Sequence, residues 1–188
     1  GLNRPIQLVN AVGVNSYLYS GFKITQTDAN GTAKDFIRDA KGNLLEVDEH
    51  NGNATYRTQY VYDATNNLIQ IVDAQGNVRN FGYDGLGNRI LAEDLHAPDD
   101  VTFGVWSYVF NLAGNISSYT NPNGQVVTFG YDSLNREVKE TTGTSVISTG
   151  YDVCLNGVGR VCRTESAASR SNYQYNALGL VTRESKGI

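Results

Sequence analysis

Cysteine, proline and long apolar runs are scarce in this 188-residue chain, and each shortage excludes a class of protein. Two cysteines are too few for a disulfide-dense mini-scaffold or for a metal site with four thiolate ligands. No apolar run approaches the ~20 residues that span a bilayer. The opening GLNRPIQLVN has no basic segment followed by an apolar one, so it does not read as a signal peptide.

An excess of positive charge is also missing. The formal net charge is −4 and the sequence pI is about 5.1, with lysine and arginine scattered along the chain. Nucleic acids and anionic lipid surfaces attract proteins through concentrated basic patches. We therefore expect neither partner.

A short turn motif recurs along most of the chain: aspartate or asparagine, two variable residues, then glycine or asparagine. These nine repeat turns are Asp28–Gly31, Asp39–Gly42, Asp63–Asn66, Asp73–Gly76, Asp84–Gly87, Asn111–Gly114, Asn121–Gly124, Asp132–Asn135 and Asn176–Gly179. Aspartate or asparagine caps a type I turn with its side-chain oxygen, and glycine or asparagine suits a left-handed fourth position. The motif therefore predicts hairpin loops closed by a bulge. Asp48, followed by Gly52, is interpreted as a longer copy.

Aromatic pairs with one residue between them form a second pattern, at about twice the period of the turns. They are Tyr17/Tyr19, Tyr60/Tyr62, Phe81/Tyr83, Tyr108/Phe110, Phe129/Tyr131 and Tyr173/Tyr175. Residues two apart in a strand share one face, so each pair predicts an aromatic rib across the sheet. A base-stacking platform would need a basic groove beside the rings, which the sequence lacks.

Segments of about six residues separate the turns, which is the usual length of a strand. The fold class predicted is all-β: an antiparallel meander in a twisted, spiralling sheet. We expect one domain over residues 1–188, in which residues 1–16 are irregular or a partial first repeat and the repeats extend from about 17 to 188. The abrupt start and the end within the pattern are expected of a piece of a longer protein.

The segments Tyr83–Ile90 and Tyr131–Val138, with Tyr62–Leu68 and Tyr175–Val181, resemble the tyrosine–aspartate repeat of the Rhs family. The resemblance covers nearly the whole chain from about Tyr17. It implies a β-sheet shell wall that, in bacterial Rhs proteins and toxin-complex C subunits, encloses a C-terminal toxin until delivery. In animal teneurins a similar barrel belongs to an adhesion receptor.

The resemblance implies a structural role as a wall segment in a secreted or cell-surface-delivered bacterial protein. The partners implied are the rest of the shell and its C-terminal cargo, and exposed strand edges favour self-association. The alternative is a recognition module for a glycan or a receptor protein, which binds through loops or the outer sheet face.

No catalytic, cofactor or metal site is expected. The aspartates that begin turns are interpreted as turn caps, since the tight glycine–aspartate repeat of calcium β-rolls is missing. His50 and His96 are placed in turns, without a second histidine or a cysteine at ligand spacing. A catalytic triad is assembled in space, but no nucleophile elbow is present in the sequence.

Two irregular features remain. Cys154 and Cys162 flank an enlarged loop, and a hairpin would bring them close enough for a disulfide, with two free buried thiols as the alternative. Rhs-like sequences contain a similar pair. Trp106, the only tryptophan, is assigned to core packing, with sugar stacking as the alternative. It lies within the 27-residue interval from Asp84 to Asn111 that interrupts the repeat.

Overall fold

The chain folds into strands and turns throughout the part that the structure describes. The computed structural model describes residues 4–10 and 13–187, and within these ranges it has 17 strands and no helix. The strand pairs within the two meanders are antiparallel, and each pair joins strands that are consecutive in the chain. The predicted all-β antiparallel meander is confirmed.

The strands are β1 (Gln7–Asn10), β2 (Gly13–Ser20), β3 (Lys23–Thr27), β4 (Ala33–Arg38), β5 (Leu44–Asn51), β6 (Ala54–Tyr62), β7 (Leu68–Val72), β8 (Val78–Tyr83), β9 (Arg89–Glu93), β10 (Val105–Phe110), β11 (Ile116–Thr120), β12 (Val126–Tyr131), β13 (Glu137–Thr142), β14 (Ser145–Tyr151), β15 (Val161–Glu165), β16 (Arg170–Tyr175) and β17 (Val181–Gly187).

Two compact units make up the chain. The first comprises residues up to Tyr83 with Ala92–Phe103, and the second comprises Asp84–Leu91 with the residues from Gly104 onward. The first contains the meander β1 to β8, the second contains the meander β10 to β17, and β9 is divided between them. The single domain over residues 1–188 stays a prediction.

Within each unit the two faces of the strands differ. In β6, Tyr60 and Tyr62 are half-buried, whereas Gln59 before them and Val61 between them are exposed. In β10, Trp106 and the pair after it alternate in the same way with exposed neighbours. The alternation places the aromatic pairs on one face, as period-two patterning requires.

Little apolar surface is fully buried on either face. The described residues hold four buried apolar side chains: Phe81, Ala92, Val127 and Cys162. The accessible surface of the chain is 12504 Å², whereas a compact monomer of 20.5 kDa exposes roughly 9,000 Å². The backbone ladders and cross-strand side-chain contacts therefore supply much of the order in these sheets.

Three sequence-based placements are wrong. Asp48 and His50 lie in β5, and the β5–β6 turn forms at Gly52, which has φ 60°. The reason is register: Asp48 is directly opposite Arg57, and their side chains pair across the strands. His96 is buried and its backbone bridges to Val78 of β8, so it does not lie in an exposed turn.

Candidate functional site along the repeat turns

The nine repeat turns share one hydrogen-bond arrangement. In the turn at Asp39, the backbone N–H of Asp39 donates to the carbonyl of Asn43 at 2.9 Å, and the N–H of Gly42 donates to the carbonyl of Asp39 at 3.1 Å. The Oδ1 atom of Asp39 also accepts the N–H groups of Lys41 and Asn43, both at 2.8 Å. One carboxylate therefore satisfies two loop amides that the ladder leaves unpaired.

The fourth residue of every repeat turn has positive φ. Gly42, Gly76, Gly87 and Gly179 have φ between 79° and 95°, and the two asparagines, Asn66 and Asn135, have φ of 77° and 60°. This left-handed geometry closes a three-residue loop with a bulge, for which glycine and then asparagine have the lowest steric cost.

Hydrogen bonds lower the pKa of four turn carboxylates, those of Asp63, Asp73, Asp84 and Asp132. The side-chain amide of Asn77 lowers the pKa of Asp73, and the side-chain amide of Asn88 does the same for Asp84. The pKa of Asp63 and of Asp132 is lowered first by the backbone N–H of the residue that closes each turn. Hydrogen bonds to the ionised oxygens favour the carboxylate over the acid.

Tyrosine hydroxyls tie neighbouring turns together, which sequence reasoning missed. Tyr83 Oη donates to the carbonyl of Leu68 at 2.9 Å, and Tyr131 Oη donates to the carbonyl of Ile116 at 2.8 Å. Tyr175 Oη reaches Val161 in the same way at 2.6 Å. Each acceptor is the first or second residue after an earlier turn on the same edge. The tyrosine before the turn aspartate therefore contributes its ring to a rib and its hydroxyl to a hydrogen bond with an earlier strand, which we call a tyrosine latch. The signal for it in the sequence was the fixed position of this tyrosine directly before the turn.

Polar side chains link the same turns directly. Asn43 and Asn66 exchange side-chain hydrogen bonds of 2.6 and 2.9 Å. The Arg136 guanidinium lies between Asp132 and Asp152, with Nη2 at 2.7 Å from an oxygen of each. In the second unit, such contacts join the turns at Asn111, Asp132 and Asn176 and the enlarged loop that begins at Asp152 into one row, which we call the turn edge.

The aromatic ribs meet around a residue outside the pair motif. The ring of Tyr119 lies 6.3 Å from Tyr108, 5.9 Å from Phe129 and 6.1 Å from Trp106 between centroids. Tyr119 is directly opposite Tyr108 in the register of β10 and β11. Such tilted contacts across strands add packing energy beyond simple burial. Trp106 therefore packs against a rib, half-buried.

The face opposite the ribs carries an ionic network in the first unit. Asp35 accepts hydrogen bonds from Thr25 at 2.5 Å and from His50 at 2.9 Å, and pairs with Lys23 at 2.7 Å. Burial raises the pKa of Asp35, but these three partners outweigh it and lower the pKa to about 2. Beside it, Asp48 receives two hydrogen bonds from Arg57, at 2.8 and 2.9 Å. Sequence spacing does not predict these pairings, because they depend on which residues the strand register places opposite one another.

His96 anchors the segment between β9 and β10. Its ring stacks on Phe103 at 3.7 Å, with Nδ1 at 2.8 Å from the carbonyl of Ala97 and Nε2 at 3.1 Å from Glu93. Both neighbouring oxygens are acceptors, so both ring nitrogens donate and the imidazolium form fits best. The carbonyl of Ala97 and then the carboxylate of Glu93 raise the pKa of His96.

Cys154 and Cys162 are joined as a disulfide with Cα atoms 5.4 Å apart. Of the two states considered for this pair, the structure has the bonded one. A Cβ atom at Gly157 would lie 2.3 Å from Cys154 Sγ and 2.5 Å from Cys162 Sγ, so only glycine fits beneath the bridge. The disulfide closes the enlarged loop that replaces a repeat turn between β14 and β15.

Residues 4–10 and 13–187 contain no group of three or more histidine, cysteine, aspartate or glutamate side chains placed to hold a metal ion. They also contain no helix of the length and apolarity needed to cross a membrane.

Comparisons with known structures give the same β architecture. The chain superposes on the Photorhabdus luminescens Tc holotoxin pore carrying a TccC3 mutation with a TM-score of 0.69 at 15% identity, over 96% of this chain and 12% of that one. The TcdB2-TccC3-Cdc42 crystal structure gives 0.68 at 16% identity, over 95% of this chain and 12% of that one. The chain thus spans about an eighth of the length of these neighbours, and the likeness shows the fold. No curated protein matches the sequence.

The family comparison covers the repeats themselves. The family described as RHS Repeat matches residues 38–78, 62–100 and 110–147, which together make up more than half of the sequence. These segments contain the repeat turns from Asp39 to Asp132 and the latches at Tyr83 and Tyr131. This chain belongs to the RHS repeat family.

Proposed function

We propose that this chain is a structural wall segment of an Rhs-type shell, which in a longer protein encloses and protects a C-terminal toxin or other cargo. The observation that carries the proposal is the turn edge. Turns that neighbour each other on this edge are joined by tyrosine latches and by Arg136, so the same contact can be repeated for as many strands as a wall needs. Repeat architectures gain stability from such nearest-neighbour contacts.

The exposed sheet faces support the same role. A chain with an accessible surface of 12504 Å² and few buried apolar side chains is suited to packing against further shell or cargo. The solved neighbours, TcdB2-TccC3-Cdc42 and the Tc holotoxin pore with mutated TccC3, are each far longer than this chain. We infer by that likeness that the longer protein is exported.

A recognition role at Trp106 has less support. The indole is half-buried and packs against Tyr119, which leaves less of its face for stacking on a sugar. The described residues offer no metal-ligand cluster as an alternative chemistry. A structural role therefore accounts best for the repetition of the same turn and rib residues along this sequence.

The test is limited proteolysis of the longer protein, followed by mass spectrometry. We expect its C-terminal region to survive while the wall is intact and to be digested when the wall is opened by Val127→Asp, which places a charge at a side chain that is 3% exposed. Leu112→Asp is the matched control, because Leu112 is fully exposed in a repeat turn. Equal and rapid digestion of the C-terminal region in all three proteins would reject the enclosure.

A further inference from the structure

The second unit contains a groove of 620 Å³ over strands β14 to β17, whose lining includes Tyr151 and Tyr173. Its floor is a row of directly paired residues, in which Gly150 is opposite Arg163, Arg163 is opposite Asn172, and Asn172 is opposite Ser185. Directly opposed residues of antiparallel strands share a face. Gly150 has no side chain, so the row is open at that end.

The disulfide loop forms one wall of the groove. Val153, Leu155 and both cysteines line it. The loop is tied to the end of β16, since Asn156 Nδ2 donates to the carbonyl of Tyr175 at 2.8 Å and the N–H of Tyr175 donates to the carbonyl of Leu155 at 3.2 Å. The groove is therefore bounded by a covalently closed segment with fixed anchors.

The charge of the lining is positive, unlike that of the chain. Arg163 and Arg183 contribute two guanidinium groups, and no carboxylate occurs among the described residues that line the groove. The nearest charge partner, Glu165, is held by Arg170 and lies 3.6 Å from Arg163. Arg163 remains 47% exposed, with donors available to a ligand.

The length of the groove favours an elongated ligand. Its lining comes from four adjacent strands, β14 to β17, which together extend roughly 15 Å across the sheet, further than a single small anion. Arg163 is on β15 and Arg183 is on β17, so one strand separates them. Between them, Asn172 and Gln174 present amides that match the donors and acceptors of a peptide backbone.

We propose that this groove binds an acidic peptide segment in an extended conformation, with two carboxylates on Arg163 and Arg183, amide contacts to Asn172 and Gln174, and apolar contact with Leu155. The site stands independently of the enclosure of cargo, because it uses the side chains of this chain alone.

The experiment is fluorescence anisotropy of a labelled hexaglutamate peptide with the complete 188-residue chain at low and at moderate salt. Saturable binding that weakens with salt is expected, and Arg183→Gln and Arg163→Gln are each expected to weaken it more than tenfold. Lys186→Gln is the matched control: it removes a charge from the same strand, three residues away and on the opposite face, and should leave the affinity within twofold.

A steric variant tests the groove separately from its charge. A Cβ at Gly150 would lie 3.8 Å from that of Arg163, an ordinary contact, so Gly150→Leu should fold while its side chain fills the open end. We expect it to weaken peptide binding with an unchanged circular dichroism spectrum. Absence of saturable binding, an equal effect of Lys186→Gln, or tighter competing binding by a heparin hexasaccharide would each overturn the peptide assignment.

Discussion

The phenol of Tyr131 donates a hydrogen bond to the backbone carbonyl of Ile116 at 2.8 Å. Tyr131 ends the strand before the turn at Asp132, and Ile116 begins the strand after the turn at Asn111. Ile116 precedes the residues of β11 that pair with β12, which are Ser118 to Thr120. The tyrosine that precedes the turn aspartate therefore completes the ladder from its side chain. The same relation between Tyr83 and Leu68 shows that the tyrosine–aspartate pair is a unit of assembly.

Tyr131→Phe should lower the free energy of unfolding by about 1 kcal/mol, the usual net value of one hydrogen bond. Burial also raises the pKa of this phenol, so the donor form predominates well above neutral pH. Urea denaturation measures the loss. Tyr56→Phe, at a side chain that is 50% exposed, is the control, and an equal loss in both variants would show that the latch contributes nothing.

Gly76→Ala should destabilise the chain by about 1–2 kcal/mol, because a Cβ in the left-handed region clashes with its own backbone. The φ of Gly76 is 85° and nothing lies within 4 Å of the added atom, so the cost is conformational. Gly85→Ala is the matched control within the next repeat turn. A Cβ at Gly85 would also have no atom within 4 Å, but Gly85 does not have a positive φ. The Gly85→Ala change should therefore leave the melting temperature unchanged or raise it slightly in thermal denaturation. Equal effects of the two changes would contradict this account.

Asp35→Asn should cost about 2 kcal/mol at neutral pH and almost nothing at pH 2. The folded pKa of about 2 is below the ordinary value of 3.8, so the carboxylate stabilises the fold above pH 4. That contribution is lost as the pH falls from about 4 through about 2. Urea denaturation of both proteins across this range measures the difference, with the exposed Asp99→Asn as control. A difference that does not change with pH would reject the ionic network as its source.

His96→Gln should destabilise the first unit below pH 6 and have a smaller effect at high pH. The pKa of His96 is raised above 6.5, so its stabilising contribution is complete below that value and is lost as the pH rises through the folded pKa. Glu93, paired with His96, and the nearby Asp100 are the carboxylates that face it. The imidazole proton resonances, followed by NMR from pH 5 to 9, report the titration directly. A pKa at or below 6.5 would refute the assignment.

The turn chemistry was accessible from the sequence because it is local. An aspartate and a glycine three residues later specify both the cap and the left-handed position, as the turns at Asp39 and Asp73 illustrate. The same reasoning failed at Asp48, where a similar spacing occurs by chance within a strand. Only the pairing with Arg57, nine residues away, distinguishes the two situations.

By itself, the sequence determined the strand–turn rhythm, the all-β class and the shared face of the aromatic pairs, because these depend on contacts within about ten residues. The tertiary structure decided which groups meet across strands: the latch from Tyr131 to Ile116, the partners of Asp35, and the groove between Arg163 and Arg183. Register sets those contacts, and a shift of one residue would move every side chain to the other face. Local spacing does not encode the register of distant strands, so the sites formed between strands emerge only when the sheet is assembled.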